Sequence, residues 1–359
     1  VLGSKRIGIT SFAIAGAARI PSLDGQWSPE APYLNTASFG LPPKVAFEAL
    51  QEALDDWRAG RVTWEPWCES TERARVCFAR LNGVAAADVA VGATTSELVG
   101  LIAASIPDGA TVLAAEGDFA SLLFPWTTQA HRDVTITTAP LERLADGIGP
   151  STDVVLVSSV QSASGQAADL DSIAAAAREV GAITVIDATQ SCGWFPLEAT
   201  AFDAVICSGY KWLLAPRGTA YAYLGERLRE RTAPIHAGWY AAEDPFGSYY
   251  GLPPSLAATA RRFDTSPAWF SWVGAAPAIE LLESIGVARI QEHNVRLANR
   301  FREGLGLEPS NSAIVSAEAS NAHERLRSAG IQAATRAGGL RVSFHVYNTE
   351  ADVDAALDA

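Results

Sequence analysis

Two short apolar runs, each ending in a reactive polar group, constrain this chain more than any other feature. Ile183 to Ile186 ends in Asp187, and Ala204 to Cys207 ends in Ser208-Gly209-Tyr210-Lys211. Both runs are rich in β-branched residues and bounded by turn residues, the pattern of buried strands in a parallel sheet. Ligands of open α/β sheets collect at the carboxyl ends of the strands. One such end therefore offers a carboxylate and a neighbouring one an amine.

The lysine stands out by its rarity. Of 27 basic residues only three are lysine, at positions 5, 44 and 211. Lys211 is followed by apolar Trp212, Leu213 and Leu214. An amine in such surroundings is desolvated and pushed toward its neutral, nucleophilic form. The plain alternative is a strand-end lysine that snorkels to water, and position alone does not separate the two.

Along the chain, Lys44 to Arg58 has helical periodicity with Val45, Ala49 and Leu54 on one face. Thr71 to Leu81 repeats it with Ala74, Cys77, Phe78 and Leu81 inward, and Trp57, Trp64 and Trp67 read as a packing cluster between the two helices. A strand at Val89 to Gly92 leads into Ala93-Thr94-Thr95-Ser96-Glu97 and a helical run, Leu98 to Ser105. A strand, a hydroxyl-rich turn and a helix start suit a phosphate, although an ordinary N-cap looks the same. Strands are expected at Thr111 to Ala115, Asp153 to Ser159 and Thr219 to Leu224, with an Ala-rich helix at Leu170 to Val180. This alternation over residues 89–224 predicts an α/β fold with a mostly parallel, doubly covered sheet. Aromatics on the loop from Pro234 to Pro254 suggest a substrate wall or a subunit contact. Helices at Trp272 to Ile285 and Val287 to Leu305 precede a small α+β segment.

Composition narrows the function. A 48% hydrophobic and 19% charged chain of 359 residues can bury a large core in two lobes. Its net charge of −13 argues against nucleic acid or an anionic membrane as partner, and no apolar run is long enough to span a bilayer. Four cysteines, at 68, 77, 192 and 207, lack metal-ligand spacing, so no metal site is expected and free thiols in a reducing cytoplasm are. The run Ser11 to Ala18 after Lys5 and Arg6 faintly resembles a secretory signal, but an N-terminal arm is the preferred reading.

Asp-Ala-Thr-Gln-Ser at 187–191, followed by Ser-Gly-Tyr-Lys-Trp at 208–212, resembles the signature of class V aminotransferase-fold enzymes. That family includes cysteine desulfurases, selenocysteine lyases, kynureninases and isopenicillin N epimerase-like proteins. The resemblance runs from about Tyr33 to the C-terminus. It implies pyridoxal 5′-phosphate (PLP) and fold type I: a large domain with a mostly parallel seven-stranded sheet sandwiched by helices, plus a small α+β domain. The expected division is residues 1–28 as an arm, 29–285 as the PLP domain (with 29–44 free to pack on the small domain) and 286–359 as the small domain. It also implies a homodimer with shared active sites and an amino-acid substrate.

The resemblance assigns roles to individual residues. Lys211 would carry PLP as a Schiff base and Asp187 would hold its pyridine nitrogen protonated. Gln190 would reach the phenolic oxygen, and Ser208 and Tyr210 the phosphate, with Tyr210 where relatives often have histidine. Thr94 or Thr95 would bind the phosphate, and Ser266, in Arg-Arg-Phe-Asp-Thr-Ser-Pro, would reach the partner's. Phe119 takes the place of a stacking histidine and lacks its titrating nitrogen. Ser162 replaces an asparagine, and Gln161 and Asn35 would line the substrate space. Arg341, in Arg-Val-Ser-Phe-His-Val-Tyr-Asn-Thr, would clamp the α-carboxylate with its planar fork. No cysteine follows Cys207, which argues against a persulfide-forming desulfurase. A lyase working by β-elimination, C–S cleavage above all, is the favoured reading. Aminotransferase and epimerase are the alternatives, and a non-catalytic PLP-binding protein is a distant one.

Overall fold

The structure, a computed structural model, describes residues 23, 25–62, 64–251, 255–318 and 321–359. The signal-like run at 11–18 lies outside them. Helices α1 (Lys44–Arg58) and α2 (Glu65–Leu81) precede strand β1 (Val89–Gly92) and α3 (Thr95–Ala103). Then come β2 (Thr111–Ala115), α4 (Ala120–Thr127), β3 (Thr135–Ala139), α5 (Leu144–Gly147), β4 (Val154–Ser158), α6 (Leu170–Val180), β5 (Ile183–Asp187) and β6 (Ala204–Ser208). After β7 (Ala220–Leu224), α7 (Glu226–Arg231), α8 (Trp269–Ile285) and α9 (Val287–Gly304), the chain forms β8 (Ile314–Ala317), α10 (Ala322–Ser328), β9 (Ala334–Arg336), β10 (Gly339–Ser343) and α11 (Glu350–Asp358).

The main sheet has seven strands in the order β1-β7-β6-β5-β4-β2-β3. β2 through β6 pair in parallel, and β7 is antiparallel to both its neighbours. Alternate side chains explain why it must be covered twice. Val155 and Val157 join one apolar cluster with residues of α2, α6 and α8, whereas Val154 and Leu156 join another with residues of α3 and α4. Strands apolar on both faces can only be buried on both. The C-terminal strands form a separate three-stranded antiparallel sheet, β8-β10-β9, over its own cluster of Leu297, Phe301, Val342 and Phe344. Tyr33 and Asn35 bridge to Gln332 and Ser343 beside that sheet.

Some local expectations change. α2 starts at Glu65, not Thr71, because Pro66 sits in the first turn, where its missing N–H costs nothing. On α1 Val45 points to solvent, and Ala46 and Ala53 face the core. The tryptophans join one aromatic cluster through two residues of α8: Trp64 and Trp67 pack on Trp269, and Trp57 and Trp67 on Phe270, with Trp239 and Tyr249 packed on Trp64.

One buried ion pair locks β1 to its surroundings. Arg75 on α2 donates to Asp264 Oδ2 and to the Val89 carbonyl, and Asp264 Oδ1 accepts from Val91 N at 2.8 Å. Both side chains are buried, so removing one partner strands a charge. Asp264→Ala should lower unfolding free energy by about 3–5 kcal/mol in denaturant titration; a change below about 1 kcal/mol would contradict this account.

Candidate active site

Three parallel strands end along one edge of the sheet, β4 and β5 level with each other and β6 two residues further on. Ser158, Asp187 and Ser208 are the last residues of β4, β5 and β6, and Ser158 is the register partner of Asp187. The N-terminus of α3 and the loop after β2 open onto the same edge. Together they line a cleft that includes Thr95, Phe119, Asp187, Ser208, Tyr210 and Lys211.

Lys211 is buried, and its Nζ lies 5.2 Å from the Phe119 ring centroid and 5.7 Å from that of Tyr210. Burial pulls the amine down to about 8; the charge of Asp187 resists, and those of Arg341 and Arg336 assist. Burial pushes the Asp187 carboxyl up, opposed by the Thr189 N–H at 2.8 Å and by Lys211. The turn that carries the lysine is pinned from two sides. Gly40 N donates to the Tyr210 carbonyl at 2.9 Å, and a Cβ on Gly40 would lie 2.1 Å from the Lys211 carbonyl oxygen, so only glycine fits. On the other side His345 Nδ1 accepts from Val346 N, so Nε2 carries the proton and donates to the Trp212 carbonyl at 3.0 Å. Burial holds that imidazole down to about 4, hence neutral.

The hydroxyl groups form a cradle. Ser208 Oγ accepts from Thr95 N at 3.3 Å and meets Thr95 Oγ1 at 2.8 Å, and Ser208 N donates to Thr189 Oγ1. Thr94 is instead the N-cap of α3, its hydroxyl accepting from Glu97 N. Thr94 and Thr95 both line the cleft, but Thr95 is the one that joins the cradle.

Several expected residues stand differently from the sequence reading. The Gln190 amide is fully engaged: its nitrogen donates to the Ala37 carbonyl and Ser162 Oγ, and its oxygen accepts from Trp212 Nε1. It lines the cleft without extending a free donor into it. Ser162 lies on the wall, with Arg341 behind it. Arg341 donates to the Ser162 carbonyl at 2.6 Å and to Ser38 Oγ at 2.7 Å, is buried, and enters no ion pair among the described residues. Burial, aided by Arg336, lowers its guanidinium to about 10. Gln161 does not face the cleft, because Asp118 Oδ2 takes its amide at 3.1 Å. Asn35 sits beside β10 with Oδ1 buried and unpartnered among the described residues. Ser266 lies outside the cleft and accepts from Trp239 Nε1. None of the described aromatics of the 234–251 loop reaches the cleft either.

The sequence reading missed Asp118, which also accepts from the N–H and hydroxyl of Ser158 and from Phe119 N, tying the end of β2 to that of β4. An aspartate after a strand-ending glycine, just before a helix, is the signal that marked it. Ser96, Ser121, Thr189 and Arg217 complete the wall unannounced.

This donor set fits PLP: hydroxyls and a helix N-terminus for a phosphate, a buried carboxylate for a pyridinium, and an amine drawn down to about 8 for an aldehyde. Fold and cleft define the class as a fold type I PLP enzyme. The comparisons give the family. A model of the class-V aminotransferases matches residues 67–327, and the chain belongs to that family, whose cofactor is PLP. The protein named uncharacterized aminotransferase YcbU of Bacillus subtilis is 28% identical over 334 residues, covering 86% of this chain and 88% of its own. Isopenicillin N epimerase of Amycolatopsis lactamdurans is 27% identical and covers 98% of both chains. A kynureninase of Deinococcus radiodurans is 29% identical over 75% of this chain and 70% of its own. Among solved structures, the cystine C–S lyase C-DES bound to cysteine persulfide superposes with a TM-score of 0.82 at 19% identity, covering 92% of this chain and 97% of that one. The apo cysteine desulfurase of Thermococcus onnurineus NA1 gives 0.79 at 23% identity, covering 92% and 93%. Both share the fold.

The depressed lysine has a thermodynamic signature. Its folded value of about 8 lies below the unfolded value of 10.5, so holding the amine at Lys211 disfavours the folded state at low pH. The penalty is full below about 8 and fades as pH rises toward 10.5. Lys211→Met should therefore stabilise the cofactor-free protein by about 3 kcal/mol at pH 7. The gain should shrink at pH 10 in denaturant titrations; a pH-independent gain would contradict the assignment.

Proposed function

We propose that this enzyme is an amino-acid lyase in which Lys211 anchors PLP and moves the proton at the substrate's α-carbon. The observation that carries the reading is the Lys211 amine, drawn down to about 8 and facing a Phe119 ring that has no exchangeable proton. One base poised near neutrality suits removal of one proton. When bound, PLP supplies the electron sink for bonds at that carbon. Asp187 would keep the pyridine nitrogen protonated, and the Thr95, Thr189 and Ser208 cradle would hold the phosphate. Arg341 takes the α-carboxylate, its buried guanidinium having no acidic partner of its own.

The favoured substrate is an S-substituted cysteine. Lys211 would take the α-proton and the sulfur would leave with the C–S electron pair to be released as a thiol, so that, with water, the products would be pyruvate, ammonia and that thiol. A persulfide carried on the protein does not belong to this reading, because no cysteine follows Cys207. Transamination is the second reading, favoured by the same lysine, which would then move the proton from the α-carbon instead of leaving elimination to follow. A homodimer is supported by Ser266 and the Trp64–Trp239–Tyr249 aromatics, which lie outside the chain's own cleft. A cytoplasmic setting is supported by four buried free thiols. No helix among the described residues is long and apolar enough to cross a membrane.

A panel of amino acids and S-substituted cysteines tests the reaction. Pyruvate release is the expected outcome, with Arg341→Ala raising KM about 10- to 100-fold, the worth of a charge-assisted pair. Conversion of the cofactor to its pyridoxamine form without pyruvate would replace lyase by aminotransferase.

A further inference from the structure

The cleft wall carries one cation that the roles above leave unused. Arg217, in the turn before β7, lines the cleft beside Thr95, Ser96 and Ser208, and its guanidinium carbon lies 5.1 Å from the Tyr210 ring centroid. It enters none of the ion pairs formed among the described residues. Its backbone is fixed, because Ser271 Oγ donates to its carbonyl at 2.8 Å. The head is thus positioned by stacking on an aromatic face while its donors stay available.

Charge balance then assigns a ligand. A phosphate ester brings close to two negative charges, and the cradle of Thr95, Thr189 and Ser208 offers neutral hydroxyls alone. Asp187, the acid on the wall, adds a further negative charge. Lys211 is committed to the aldehyde carbon, and Arg341 lies behind Ser162 and off the wall. We propose that Arg217 is the counter-cation of the PLP phosphate, with Tyr210 as the platform that aims it. The fork donates to phosphate oxygens while the N-terminus of α3 supplies the rest of the positive field. This inference rests on the reading of the cleft as the PLP site.

The test compares two aldehydes that differ by the phosphate alone. Full-length protein stripped of cofactor is titrated with PLP or with pyridoxal, and uptake is followed by the visible absorbance band of the lysine-bound aldehyde. Arg217→Gln should weaken PLP about 10- to 100-fold, the loss of one charge-assisted interaction, and leave pyridoxal affinity unchanged. Arg217→Lys should recover part of the loss. Inorganic phosphate should compete with PLP in the wild type, and about ten-fold less effectively against the glutamine variant. Unchanged PLP affinity, or an equal loss for both aldehydes, would overturn the proposal. So would a variant that binds both aldehydes normally but has a raised KM for the amino acid, which would make Arg217 a substrate contact. Wild-type protein that takes up neither aldehyde would instead overturn the reading of the cleft.

Discussion

Everything in the cleft depends on keeping one amine buried, with its pKa drawn down toward neutral pH. Lys211 sits at the end of a strand apolar on both faces, under Phe119 and beside Tyr210, with no carboxylate in ion-pair contact among the described residues. Desolvation alone would drive the amine further down, and a contact carboxylate would restore its charge. Asp187, one strand away and itself pushed up by burial, lifts the lysine back only as far as about 8. The parallel register of β4, β5 and β6 fixes that spacing, because their carboxyl ends lie along one edge of the sheet and put their terminal side chains around one cavity.

The lysine's turn is held by parts of the chain far from it in sequence. Gly40 presses its backbone against Lys211 from the segment that precedes α1, and His345 holds the Trp212 carbonyl from the end of β10. Arg341, on the same strand, reaches Ser162 and Ser38. The small sheet is therefore coupled to the catalytic turn through two buried polar side chains.

Much of this was legible from residue order. The runs that end in Asp187 and Lys211 read as strands because β-branched residues bounded by turns leave little else to form, and the βαβ alternation dictated the sheet. β3 was not legible, since it is an edge strand with exposed threonines and no apolar run to announce it. The start of α2 was missed because Trp64 is no recognisable cap. At the site, residue type marked Lys211, Asp187 and Arg341, but hydrogen-bond partners are set by tertiary contacts. Gln161 therefore turned to Asp118 and Gln190 spent its donors on Ala37 and Ser162. Arg217 went unnoticed because an arginine after a proline carries no local sign of facing a cavity.

The central claim is that Lys211, and no other amine, holds the cofactor. Borohydride reduction of the PLP-loaded protein, followed by proteolysis and mass spectrometry, fixes the aldehyde to whichever lysine carries it. With three lysines in the chain the result is decisive. The account predicts the pyridoxyl group on the peptide containing Lys211. A label on Lys5 or Lys44, or no label from protein saturated with PLP, would contradict it.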